Sequence, residues 1–224
     1  MCDYRHDNQQ SNLAGMFILE SIRQFKIRKL GVQPYENVWR DMQAFTQNRT
    51  SETPDEIWLV EHFPVYTLGL NGKREHLLNV GNTPVVQTDR GGQVTYHGEG
   101  QAIIYTLFDL KRLNLNSQQI VTHLENAMIQ TLADYKICAV ARADARGVYV
   151  ENKKMGSIGL RIKQNGCYHG LSLNNNMDLT PFNFINPCGY ADLKMTQLAD
   201  FGIIIETDEL AQHIVFNLLK NFND

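Results

Sequence analysis

Three strand-forming runs follow one another without a helix between them: Gly147–Val150, Met155–Ile162 and Cys167–Asn174. The first pair is joined by Glu151-Asn152-Lys153-Lys154 and the second by Lys163-Gln164-Asn165-Gly166. An Asn-Gly step between two such runs is a strong hairpin signal, because both residues accept the positive φ that a tight turn demands. A doubly wound fold would need a helix after each strand. Clustered strands point instead to an α+β fold, a mixed or antiparallel sheet flanked by helices.

The rest of the chain fits that frame. Phe25–Leu30 reads as a strand. Pro34 opens a helix whose Tyr35, Val38, Trp39, Met42 and Phe45 recur at helical spacing, with the proline in the first turn. Ile57–Glu61 is a strand, and His62-Phe63-Pro64 ends it. Pro84–Gln87 and Ala102–Leu107 are further strands on either side of a glycine-rich segment. Ser117 is the expected cap of a second helix with Ile120, Val121, Leu124, Ala127, Met128, Thr131, Leu132 and Tyr135 on one face. Thr207 is the expected cap of a C-terminal helix that buries Leu210, Ile214, Val215, Leu218 and Leu219.

The chain has 224 residues, and neither a repeat nor a linker divides it. The reading is a flexible N-terminal extension over 1–24, with Met16 as an alternative start, and a single catalytic domain over 25–224. Ten Phe, nine Tyr and two Trp spread along the length exclude a disordered chain. A net charge of −3 argues against a globally basic nucleic-acid binder. No apolar run approaches the ~20 residues of a membrane span, and residues 1–10 lack the order of a signal peptide. The expected location is the cytoplasm, with no membrane and no nucleic-acid partner. The four cysteines (Cys2, Cys138, Cys167, Cys188) form no zinc-type spacing and are expected as free thiols.

Three segments could carry chemistry. Asp89–Gln101 reads DRGGQVTYHGEGQ. Its glycines let a backbone approach a ligand, and Arg90, Gln93, Thr95, Tyr96 and His97 supply polar groups. A tight hairpin accounts for it equally well. It is neither a phosphate-binding loop ending in Gly-Lys-Ser/Thr nor a dinucleotide fingerprint. In Asn186-Pro187-Cys188-Gly189-Tyr190 a cysteine lies in a turn, whereas core cysteines sit in apolar runs, as Cys138 and Cys167 do. Cys188 is the candidate nucleophile, with a structural thiol as the plain alternative. In Lys153-Lys154-Met155-Gly156-Ser157-Ile158-Gly159, a lysine turned inward would favour a nearby thiolate; a solvated turn is the alternative. His169-Gly170-Leu171-Ser172 lies on the next strand across the hairpin and could add glycine-permitted space beside the pocket such a lysine would face; His169 as a partly buried polar strand residue is the alternative.

Taken together, these segments resemble the lipoyl(octanoyl) transferase family. The resemblance rests on LGVQPY (30–35), WLVEH (58–62), RGGQVTYHG (90–98), GVYVENKKMGSIGLRI (147–162), HGLSLN (169–174) and INPCGY (185–190). It implies a fold like the catalytic domain of biotin and lipoate protein ligases. It implies a reaction in which octanoyl passes from the thioester of acyl carrier protein to a lysine of a lipoyl domain, the first step of endogenous protein lipoylation. The implied acceptors are lipoyl domains of 2-oxoacid dehydrogenase E2 subunits and the glycine cleavage H protein. The implied catalytic pair is Cys188 and Lys154, not Lys153. The implied substrate contacts are Arg90, Gly91, Gly92, Gln93, Val94, Thr95, Tyr96 and His97; Ser157, Ile158 and Gly159; and Gly170, Leu171 and Ser172. No metal and no cofactor are implied. Two departures concern loop stiffness and pocket shape: Glu99 where members commonly carry proline, and Gly156 where they often carry Cys or Ala.

The expected mechanism is covalent. Cys188 takes the acyl group as a thioester, and the acceptor amine then displaces it with Lys154 taking the proton. Backbone N–H groups near Cys188 or in the Gly-rich loop would hold the oxyanion. Arg142, Arg146, Lys153, Lys154, Arg161 and Lys163 could steer acidic partners. Rival readings are an ATP-dependent ligase on the same fold, an inert acyl- or lipoyl-domain binder, and a thioesterase-like hydrolase using His97 as base.

Overall fold

In the computed structural model, residues 25–164, 166–190 and 193–222 are described; the expected extension over 1–24 lies outside them. Seven strands form one sheet in the order β1-β2-β6-β10-β9-β8-β7. They are β1 (Phe25–Gln33), β2 (Asp55–His62), β6 (Gln101–Asp109), β7 (Val140–Ala141), β8 (Gly147–Val150), β9 (Lys153–Lys163) and β10 (Gly166–Asn174). Only β1 and β2 pair in parallel, so the sheet is mixed. A smaller sheet, β4-β3-β5, combines β3 (Val65–Leu68), β4 (Val85–Gln87) and β5 (Val94–His97). The α+β expectation holds.

Strand β6 shows how the sequence builds two layers. Successive side chains on a strand face opposite sides. Ala102, Ile104 and Phe108 enter one core with α2 (Ser117–Asp134) and α3 (Thr207–Lys220). Ile103, Tyr105 and Leu107 enter the other with Val38 and Met42 of α1 (Tyr35–Asn48). Both faces are covered, so β6 reads as one apolar run with no polar alternation.

Several boundaries differ from the sequence reading. Strand β1 does not stop at Leu30. Gly31 takes φ +67, the register shifts between Lys29 and Gly31, and pairing resumes through Gln33. Pro34 stands at the N-cap, one place before the first turn. The cap of α2 is Asn116, not Ser117. The Asn116 side chain accepts from the backbone of Gln118 and Gln119, and Gln119 answers back to the Asn116 N–H, a reciprocal capping box. The N-cap of α3 is Glu206, not Thr207, with no side-chain cap bond. Strands β3, β5 and β7 are absent from the sequence reading. His62 is still paired in β2, so the strand ends at Phe63-Pro64, one residue later than expected, and the chain re-enters extended structure at once in the other sheet. Cys167 is fully buried, as a core cysteine should be, whereas Cys138 is exposed and departs from that description.

Candidate active site

Between the α1-facing side of the large sheet and the small sheet lies a cavity of about 240 Å³. Its walls come from elements distant in sequence: Tyr35 of α1, the Gly-rich segment and β5, Ile103 and Tyr105 of β6, the 144–146 turn, β9, β10 and Tyr190.

Lys154 marks one end. It is 1% exposed, while Lys153 is exposed. Its Nζ donates to the Arg146 carbonyl at 2.7 Å and lies 5.5 Å from the Tyr149 ring centroid. Gly147 makes this possible. It takes φ +137, and a Cβ there would stand 2.7 Å from Lys154 Cε. The register shift between Val148 and Tyr149 marks the same place in the β8–β9 pairing.

The turn carrying Cys188 packs close by. Pro187–Gly189 is a single 3-10 turn with Gly189 at φ +81. Gly189 faces His76 and Gln93. Tyr190 lines the cavity, and its hydroxyl donates to the Asp144 carbonyl at 3.2 Å. The 144–146 turn therefore binds Tyr190 at one residue and the Lys154 amine two residues on. Beyond the turn, the chain pairs with Lys154 itself: Lys154 N–H donates to the Lys194 carbonyl at 2.8 Å, and Thr196 N–H donates to the Lys154 carbonyl at 3.0 Å.

The glycine-rich segment is not a plain hairpin. Arg90 is buried and spends its donors on the protein: Nε and Nη2 on Thr67 Oγ1, Nη2 also on the Thr67 and Gln93 carbonyls, and Nη1 on the Gly91 carbonyl. The guanidinium fixes the loop while the stem forms wall. Gly91 donates its N–H to the Leu160 carbonyl and stays outside the lining. Tyr96 also points elsewhere, against Tyr66 and Phe182. Gly92, Gln93, Val94, Thr95 and His97 line the cavity, as do Ser157, Ile158, Gly159, Gly170, Leu171 and Ser172. Most of the expected contacts thus converge on one space.

His97 and His169 also line the cavity, and His62 packs against His97. His97 Nδ1 meets Gln101 Oε1 at 2.7 Å; because the Gln101 amide nitrogen donates to Asn174 Oδ1, the histidine is the donor here. Burial pushes its pKa down to about 3, so the ring is neutral. His62 lies between the Gln33 carbonyl and the Tyr105 hydroxyl, and burial takes it down to about 4. His169 has φ +62, uncommon for a residue with a side chain. That kink lets Tyr168 and His169, neighbours on one strand, reach the same carboxylate, Asp89. Trp39 and Gln43 donate to it as well. Against the cost of burial, these four donors hold the Asp89 carboxyl far below the usual range.

Neither departure disturbs the cavity. A Cβ on Gly156 would meet Met128 Sδ at 2.5 Å, so that space is filled from the helix side. Glu99 is exposed, and its loop is held by Gly100 N–H donating to Glu61 at 2.7 Å. Sequence reasoning missed Tyr35, Tyr105, Arg146 and Tyr190 as wall residues. The first two are hidden inside helix and strand periodicity, and only packing shows which way they face. Among the described residues, no group of three or more His, Cys, Asp or Glu is placed to hold a metal ion, and no helix is long and apolar enough to cross a membrane.

Residues 33–218 match the family described as "Lipoyl protein ligase A/B catalytic domain". The chain is 57% identical over 206 residues to the octanoyltransferase of Actinobacillus pleuropneumoniae serotype 5b (strain L20), covering 90% of this chain and 94% of that one. The chain belongs to the lipoyl(octanoyl) transferase family. To the octanoyltransferase of Haemophilus influenzae (strain PittEE) it is 53% identical over 199 residues, covering 88% of this chain and 93% of that one. Among solved structures, the bipartite lipoate protein ligase of Thermoplasma acidophilum overlays with a TM-score of 0.67 at 12% identity, over 87% of this chain and 82% of that one. Biotin protein ligase from Aquifex aeolicus overlays at 0.55 and 13%, over 88% and 69%. At such identities these likenesses speak for the fold alone. This chain and the two ligases thus share one fold.

Proposed function

We propose that residues 25–224 act as one catalytic domain that transfers an octanoyl group from the thioester of acyl carrier protein to the target lysine of a lipoyl domain, in the cytoplasm. The carrying observation is the burial of the Lys154 amine at one end of a cavity whose rim includes Tyr190, two residues beyond Cys188. The high identity to octanoyltransferases supports the acyl group and the lipoyl-domain acceptor.

Two half-reactions account for transfer. A Cys188 thiolate, favoured by the Lys154 ammonium, attacks the octanoyl thioester; the C–S bond to the carrier breaks, and the departing thiolate takes a proton from Lys154. The acceptor lysine amine then attacks the Cys188 thioester. Lys154, now neutral, takes the proton released by that amine, and Cys188 leaves as thiolate, restoring the starting pair. The exchange of thioester for amide runs downhill, so no ATP enters. The N–H groups of Gly189 and Tyr190 are already bonded to the Asn186 and Pro187 carbonyls. The Gly-rich loop is therefore the better source of oxyanion donors. The glycines and apolar groups of β9 and β10 take the acyl chain, at about 0.8 kcal/mol per buried CH₂.

Incubation with octanoyl-carrier protein alone, followed by intact mass measurement, should show one octanoyl adduct on the wild type. The adduct is absent in Cys188→Ala. A wild-type protein that transfers octanoate while never carrying an adduct would falsify the covalent scheme. Transfer that requires free octanoate and ATP would assign the site to a ligase.

A further inference from the structure

A buried row of polar side chains runs from the cavity wall to the backbone of Lys154, and the mechanism above uses none of its middle members. His97 Nδ1 donates to Gln101 Oε1 at 2.7 Å; Gln101 Nε2 donates to Asn174 Oδ1 at 2.9 Å; Asn174 Nδ2 donates to the Thr196 carbonyl at 3.0 Å. Gln101 and Asn174 are at most 2% exposed, and Thr196 is fully buried. Thr196 N–H then donates to the Lys154 carbonyl, while Lys194 receives the Lys154 N–H. The 194–196 segment thus lies beside Lys154 like a short parallel strand, with Met195 opposite it.

That segment is the continuation of the chain that leaves the Cys188 turn. Leu193 N–H donates to the Tyr190 carbonyl at 3.4 Å, so pinning residues 194–196 constrains how the preceding turn sits relative to Lys154. Asn174 is the side chain that pins them from the sheet. Its amide oxygen and nitrogen are both committed, so its orientation is fixed by Gln101 on one side and by Thr196 on the other. Gln101 is in turn oriented by His97, whose ring faces the cavity.

We propose that Asn174, oriented by Gln101, is a positioning residue for transfer: through the 194–196 segment it sets where the Lys154 amine stands relative to the Cys188 turn. The idea rests on the Cys188–Lys154 reading given above. Misplacing a reacting group by about 1 Å can cost on the order of 10²-fold in rate. The described side-chain bonds of Asn174 go to Gln101 and Thr196, so it acts through this link.

The test reads the pH dependence of Cys188 alkylation by iodoacetamide in the full-length protein, followed on the Cys188 peptide by mass spectrometry, alongside steady-state transfer. Three variants are compared: Lys154→Ala, Asn174→Ala and Asn174→Asp. The last keeps the size and the acceptor for Gln101 but turns a second oxygen towards the Thr196 carbonyl, and it serves if Asn174→Ala does not fold. Both Asn174 variants should move the alkylation profile towards that of Lys154→Ala. Both should lose about 10²-fold in kcat with KM changed little. An Asn174 profile that stays with the wild type while Lys154→Ala shifts overturns the positioning role and leaves the lysine reading intact. A Lys154→Ala profile identical to wild type, with full transfer, removes that reading instead.

Discussion

His97 and His62 keep their rings neutral because burial removes the water that would solvate a charge. This has a stability consequence with a definite sign. In the unfolded chain both rings take a proton near pH 6.5; in the folded protein they resist it down to about 3 and about 4. Below 6.5 the unfolded state therefore binds more protons than the native state, and stability falls as the pH drops. Asp89 works at lower pH: its native carboxyl is held down by four donors, so its contribution is lost as the pH falls from the ordinary carboxylate range downwards. The melting temperature should fall steadily from pH 7 to pH 4, and His97→Gln should flatten that slope. An unchanged slope in the variant would mean that His97 is not buried neutral. The sequence marks His97 as a candidate contact by its glycine-rich setting. It cannot show that Gln101 fixes the ring, since that bond forms only when β5 turns back into β6.

At the level of elements, the three-strand cluster and the helices were legible because side-chain periods of two and of 3.6 survive in the residues themselves. The two-residue strand β7 left no such trace, and β3 was hidden by the Phe63-Pro64 stop. The two misplaced caps have a common cause: Asn116 and Glu206 stand one residue earlier than the side chains expected to do the work, and only the backbone angles decide. Gly156 is the element-scale case where one residue sets a packing distance between α2 and β9. Gly156→Ala puts a methyl into the space of Met128 Sδ and should destabilise the fold by about 1–3 kcal/mol, the usual cost of overpacking. That is roughly 2–12 °C in Tm for a chain of this size. Met128→Val, which shortens the opposing side chain, should be tolerated better in the alanine background than alone. Additive losses in thermal unfolding would show that the two sites do not share this space.

Across the whole molecule, the cavity is assembled from both sheets, α1 and the turn around residue 188, so its shape could not be read from any one segment. The segments themselves were readable through their likeness to a family. Their convergence, and the outward turn of Gly91 and Tyr96, required the fold. Charge steering also changes when seen in three dimensions. Lys154 is buried and belongs to the cavity rather than to the outer surface, and Arg142 is paired with Asp144 at 2.6 Å. Arg146, Lys153, Arg161 and Lys163 remain of the expected steering charges. Transfer from an acidic carrier should lose kcat/KM with rising salt through slower encounter, and Arg146→Ala should reduce that dependence. A salt-independent kcat/KM would remove steering from the account.

Arg90 joins the small sheet to the glycine-rich loop through Thr67, Gly91 and Gln93. A guanidinium does not lose its proton in any habitable solution, so acidity cannot undo this rivet as it can undo a histidine latch. The loop and the strand it is fastened to should breathe together, opening as a single cooperative flap or not at all.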